Sequence, residues 1–112
     1  MKFRPTAVGY VRSDISGAGQ AWDEEQIRSL ARRLGYDFAK MVVVDGRSGK
    51  SPLAVLKATV TRLAAEAVVV PTADHFDSEA ALTDLVKAAD VITVNPENTY
   101  ARWVIPPMPS GA

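Results

Sequence analysis

The chain has 112 residues, enough for one domain with a single core but too few for two. It has no cysteine and no apolar run of the ~18 residues that a membrane span needs, which excludes disulfide and thiolate chemistry and predicts a cytoplasmic protein with no membrane partner. Its net charge is zero, with ten Lys or Arg against six Asp or Glu in residues 1–60 and three against seven in residues 61–112, so no overall basic field points to nucleic acid.

The first half of the chain has the pattern of two strands with a helix between them. Residues Thr6 to Arg12 are apolar and β-prone, as in a strand that is buried on both faces. A loop of Ser, Asp and Gly is expected next, and the pair Asp23 and Gln26 has the spacing of a capping box that begins a helix. A second strand is predicted over Phe38 to Val44.

The second half repeats this alternation. Ser51 and Pro52 have the residue types of a helix cap and of a first helical position, and Ser78 is predicted to cap a further helix that reaches Ala89. Two more strands are predicted, over Ala67 to Val70 and Val91 to Val94.

The resulting order of elements, β-α-β-α-β-α-β, predicts an α/β fold. We expect a single-domain, three-layer structure over residues 1–95 with a mainly parallel sheet of four or five strands flanked by helices. The middle of that sheet should contain the four residues Tyr10, Val42, Val69 and Ile92. In residues 96–112 we expect an edge strand over Tyr100 to Ile105 and then a Pro-rich tail.

Ligands of open α/β sheets gather beyond the carboxyl ends of the strands. The polar residues predicted to lie there are Arg12, Ser13, Asp14, Ser16, Asp45, Arg47, Ser48, Asp74, His75, Asp77 and Asn95. They are the candidates for any site in this fold.

Several standard sites fit this set poorly. The stretch Gly46–Ser51 resembles a phosphate loop but is too short between its glycines. His75 has only loose carboxylates around it, which is weak support for a metal, and no nucleophile elbow supports a triad of His75 with Ser13 or Ser16. The strand-end aspartates Asp14, Asp45 and Asp74 could hold Mg²⁺, but the lysine of a receiver site is missing. We therefore predict no metal and no cofactor.

Four segments in order, "GYVR", "QIRSLARRLGY", "VVVDGRSG" and "VVVPTADHF", resemble the N-terminal catalytic domain of serine recombinases, the resolvase and invertase family. The resemblance covers about residues 6–95. In that family a serine attacks a DNA phosphodiester while arginines stabilise the developing charge. The family-equivalent residues retained in this chain are Tyr10, Arg12, Asp45, Ser48, Gly49 and Asp74.

The departures from the family pattern fall on the catalytic positions. The position of the nucleophilic serine is Asp14, and two arginine positions are His75 and Ser78. The arginine that should follow the Ser-Gly turn has no counterpart, since Lys50 is a poor substitute. The resemblance therefore implies an active site that has degenerated.

Three functions remain open. The leading one is a stand-alone, non-catalytic interaction or regulatory module with a protein partner or as a homodimer, in which Tyr100, Trp103, Val104 and Ile105 either cover the core or form a subunit contact. The second is an active recombinase or nuclease that uses Ser13 or Ser16, with DNA binding supplied in trans. The third is a small anion- or nucleotide-binding domain. No residue is assigned a catalytic role, and the family-equivalent positions are Tyr10, Arg12, Asp14, Asp45 and Asp74.

Overall fold

The described part of the chain forms a sheet of five strands. In a computed structural model, which describes residues 4–49 and 51–102, the strand order is β2-β1-β3-β4-β5. The first four strands are parallel and β5 runs antiparallel to β4. The strand bounds are β1 Thr6–Arg12, β2 Asp37–Val44, β3 Ala67–Val70, β4 Asp90–Thr93 and β5 Asn98–Tyr100. This confirms the predicted α/β fold with a mainly parallel sheet and an interior first strand. The prediction that Val42 lies in the middle of the sheet is wrong, because β2 is an edge strand.

Within the described residues, four α-helices connect or follow the strands. They are α1 Ser13–Ser16, α2 Gln20–Arg33, α3 Pro52–Leu63 and α4 Glu79–Val86, with 3₁₀ turns at Gly17–Gly19 and Ala73–His75. The side chain of Ser51 accepts a hydrogen bond from the Ala54 N–H at 3.3 Å, and that of Ser78 accepts one from the Ala81 N–H at 3.1 Å. Both predicted helix caps are confirmed.

The prediction of a loop followed by a capping box after β1 is wrong. The short helix α1 and a 3₁₀ turn lead directly into α2, so Asp23 lies inside the first turn of α2 and not at its cap. Its carboxylate accepts the Ser16 hydroxyl at 2.6 Å. An acidic residue is favoured both at a cap and within the first turn, so the residue type alone does not separate the two positions.

Two element bounds also differ from the prediction. Helix α4 ends at Val86, three residues before the predicted Ala89, and β5 ends at Tyr100, where the predicted edge strand begins. The edge strand begins at Asn98, before the predicted start at Tyr100, because a tight turn follows β4. In this turn the Thr93 hydroxyl donates a hydrogen bond to the Pro96 carbonyl at 2.6 Å. Ala101 and Arg102, which were predicted to belong to the edge strand, have no strand structure, and residues 103–105 lie outside the described residues.

The helices are divided unequally between the two faces of the sheet. Helices α3 and α4 pack on the face that carries Val8 and Tyr10, whereas α2 packs on the face that carries Ala7 and Val11. Gly9 allows α2 to approach closely, because a Cβ there would lie 2.8 Å from Ile27 Cγ2 and 2.5 Å from Met41 Sδ. In the described ranges, no helix combines the length and apolar character needed to cross a membrane.

Candidate functional site

The end of β1 is anchored to the loop that follows β3. The backbone N–H of Arg12 donates to Nδ1 of His75 at 2.9 Å, and both residues are buried. An Nδ1 that accepts a hydrogen bond carries no proton, and burial lowers the pKa of His75, so both effects favour the neutral imidazole. The structure thus gives His75 a structural role at the strand end.

The guanidinium of Arg12 is held between two carboxylates. Nε donates to Asp14 Oδ1 at 3.0 Å and Nη2 donates to Asp14 Oδ2 at 2.8 Å, which is the bidentate geometry typical of strong Arg–carboxylate pairs. Nη1 donates to Asp77 Oδ1 at 2.7 Å. Arg12 is only 8% exposed, so this cation is engaged by the protein itself on all three of its nitrogen atoms.

Asp14 receives a third donor from the turn that follows β2. The Gly46 N–H donates to Asp14 Oδ1 at 2.9 Å, so one backbone and two side-chain donors converge on this carboxylate. These hydrogen bonds, above all those from Arg12, hold the pKa of Asp14 well below its ordinary value of 3.8 and raise that of Arg12 above its own. A Cβ at Gly46 would collide with the Arg12 guanidinium, 2.5 Å from its Cζ, so glycine leaves room for the guanidinium to pair with Asp14.

Tyr10 lies on the same face of β1 as Arg12, two residues earlier. Its ring stacks on Phe76, with 5.5 Å between the ring centroids and 18° between the planes. Burial raises the pKa of Tyr10 to about 12, so the phenol stays neutral at physiological pH. Tyr10 therefore has a structural role in the core beside Arg12, and its phenol does not titrate near neutral pH.

The two candidate nucleophiles, Ser13 and Ser16, have other hydrogen-bond partners. The Ser13 hydroxyl donates to the Val44 carbonyl at 3.3 Å, and the Ser16 hydroxyl donates to the Asp23 carboxylate at 2.6 Å. A carboxylate beside Ser16 could accept its proton, but its negative charge would also repel an incoming phosphate.

The strand-end aspartates do not converge on one point. Asp45 pairs with Arg47 in the turn after β2, with Arg47 Nε 3.0 Å from Oδ1 and Nη2 2.9 Å from Oδ2. Asp74 is exposed beyond β3. Within residues 4–49 and 51–102, no group of three or more His, Asp or Glu residues is arranged to hold a metal ion. The hypothesis that Asp14, Asp45 and Asp74 form a magnesium site finds no support in this geometry.

Two residues that contact the Arg12–Asp14 pair, Gly46 and Asp77, could not be singled out from the sequence. Asp77 was one of several polar residues beyond β3, and Gly46 was part of a rejected phosphate loop. The strand order would have brought both near Arg12, since β1 lies between β2 and β3.

Comparison of the chain with protein-family models, curated proteins and solved structures finds no match. The resemblance to serine recombinases therefore stays a prediction.

Proposed function

We propose that this domain is a serine-recombinase-like module that has lost catalysis and acts through contacts with another protein. The observation that carries the proposal is the bidentate pair of Arg12 with Asp14, completed by the Gly46 N–H. By the resemblance, Arg12 is a phosphate-binding residue and Asp14 stands at the position of the nucleophilic serine. The protein's own carboxylate fills the place that a phosphate oxygen would take.

A phosphodiester could reach Arg12 only by displacing Asp14. The displaced carboxylate would stay beside a phosphate bound to Arg12, because Asp14 and Arg12 are two residues apart in the chain. The two negative charges would repel each other. Attack by the carboxylate itself would give an acyl phosphate, which is labile. Arg12 also pairs with Asp77, so a second carboxylate would face the ligand.

The surroundings favour a protein partner over DNA. Among the described residues at the carboxyl end of the sheet, the side chains of Asp74, Asp77 and Glu79 are exposed carboxylates. The described cations at this end, Arg12 and Arg47, are each paired with an aspartate. Nucleic-acid binding depends on cations that are available to phosphates, and the described residues at this end of the sheet offer few.

The proposal predicts that the full chain neither nicks supercoiled plasmid nor forms a covalent protein–DNA adduct on a denaturing gel. The Asp14→Ser variant should be equally inactive, because His75 and Ser78 stand where the family has arginines and Arg12 alone would not replace those two cations. Incubation of both proteins with plasmid over a range of salt concentrations measures this.

Serine variants identify the source of any activity. An adduct that forms with the wild type and is lost in Ser13→Ala or Ser16→Ala, but not in the matched turn variant Ser48→Ala, would overturn the proposal in favour of an active recombinase or nuclease.

A further inference from the structure

Trp22 is an exposed indole at the start of α2. Its side chain is on the outside of the helix, with 69% of the residue exposed, whereas the buried stripe of α2 consists of Ile27, Leu30 and Ala31. Tryptophan is highly buried on average and is enriched among the residues that dominate protein interfaces. Its exposure therefore points to a contact that is made outside this chain's own core.

A small groove lies beside this indole. Its volume is about 110 Å³, and Trp22, Pro71 and Val94 supply its apolar surface. Asp23 and Gln26 are among its polar lining residues. A groove that combines apolar walls with a carboxylate suits a long side chain that has an aliphatic stem and a polar head.

The charge of the groove favours a cation. One oxygen of Asp23 accepts the Ser16 hydroxyl, and within the described part of the chain Asp23 has no ion-pair partner. The positive end of α2 opposes a cation with about half an elementary charge. The carboxylates of Asp23, Glu24 and Glu25 in the first two turns outweigh it, although Arg28 offsets part of their charge.

We propose that the groove formed by Trp22, Asp23, Pro71 and Val94, the Trp22 groove, binds an arginine side chain from a segment of a partner protein. The stem of the arginine packs along Pro71 and Val94, the planar guanidinium stacks on the indole, and Asp23 accepts its hydrogen bonds. The inference rests on the proposed role in protein contact, and it adds the chemistry of the partner. Its test uses no DNA, so either proposal can fail alone.

The test measures the fluorescence anisotropy of a labelled, flexible Gly/Ser peptide with spaced arginines, titrated with the full chain. A second peptide has glutamine in place of each arginine. The wild type is expected to bind the arginine peptide saturably and the glutamine peptide at least about tenfold more weakly. Trp22→Ala and Asp23→Asn should each weaken the arginine peptide by about tenfold.

Two matched variants serve as controls. Leu34→Ala removes another exposed apolar side chain, just past the other end of α2, and Glu66→Gln neutralises an exposed carboxylate just before β3, at the opposite end of the sheet from the groove. Both should bind the peptide as the wild type does, and circular dichroism should show all four variants folded.

Several results would overturn the inference. They are equal binding of the two peptides, no saturable binding of the arginine peptide, and unchanged binding by Trp22→Ala. Concentration-dependent self-association in sedimentation that Trp22→Ala abolishes would assign the groove to a second copy of the chain and would also overturn it.

Discussion

Replacing Arg12 with methionine is expected to lower the free energy of unfolding by about 2–3 kcal/mol. Methionine fills much of the same volume but leaves the carboxylates of Asp14 and Asp77 near each other without a cation. The cost should stay below that of breaking a fully buried pair, because the Asp77 side chain is 69% exposed and solvent screens its charge. Urea unfolding of the two proteins measures the difference.

The control is Arg47→Met, which removes the same bidentate pairing from Asp45 in an exposed turn. The Arg47 side chain is 78% exposed, so its loss should leave the unfolding midpoint unchanged within error. Equal losses in Arg12→Met and Arg47→Met would contradict the structural role given to Arg12.

The pair of Arg12 with Asp14 also makes the free energy of unfolding depend on pH in the acid range. The pKa of Asp14 is lowered in the folded protein, so its contribution is fully present above the ordinary carboxyl value of 3.8. It is lost as the pH falls below about 4 towards the folded value. Unfolding measured at neutral pH and at about pH 3 should show a smaller acid-induced loss in Arg12→Met than in the wild type.

Replacing Ile27 with alanine is expected to destabilise the fold by about 2–5 kcal/mol. Ile27 is fully buried and is the side chain of α2 that meets Gly9 in the middle of the sheet. Among the described helices α2 is the one that packs on this face, so neighbouring helices cannot close the cavity.

Leu34→Ala is the matched control for this prediction, because Leu34 is 42% exposed just past the end of α2. Its cost should be below about 0.5 kcal/mol. Thermal and urea unfolding of the two variants compare them, and similar losses at the two positions would show that α2 does not anchor this face.

The strands were the most predictable part of the fold. The bounds of β1 and β3 agree with the prediction because each is an apolar run that ends at a polar residue or at proline. The caps Ser51 and Ser78 were predictable because a serine side chain satisfies a local N–H. The start of α2 was not predictable, because an aspartate such as Asp23 is favoured both at a helix cap and within the first turn.

The residues of the candidate site were easier to predict from the sequence than the hydrogen bonds between them. Arg12 and Asp14 were correctly expected at the end of β1, because their sequence positions follow a buried strand. The bond from Arg12 to Asp77 spans 65 residues and depends on side-chain rotamers that no local pattern encodes. Asp45 was a candidate at the same end of the sheet as Asp14, but its carboxylate pairs with Arg47, two residues away. The predicted role of Trp103, Val104 and Ile105 lies outside the described residues.

We propose that the Asp14 carboxylate occupies an anion position on Arg12 and Gly46. Calorimetric titration of inorganic phosphate into the wild type, Asp14→Ala and the matched variant Asp45→Ala tests this. We predict saturable binding in the millimolar range for Asp14→Ala, where the Arg12 guanidinium and the Gly46 N–H would be available to an oxyanion. The wild type and Asp45→Ala should show none. Phosphate binding by the wild type as tight as that by Asp14→Ala would contradict the claim.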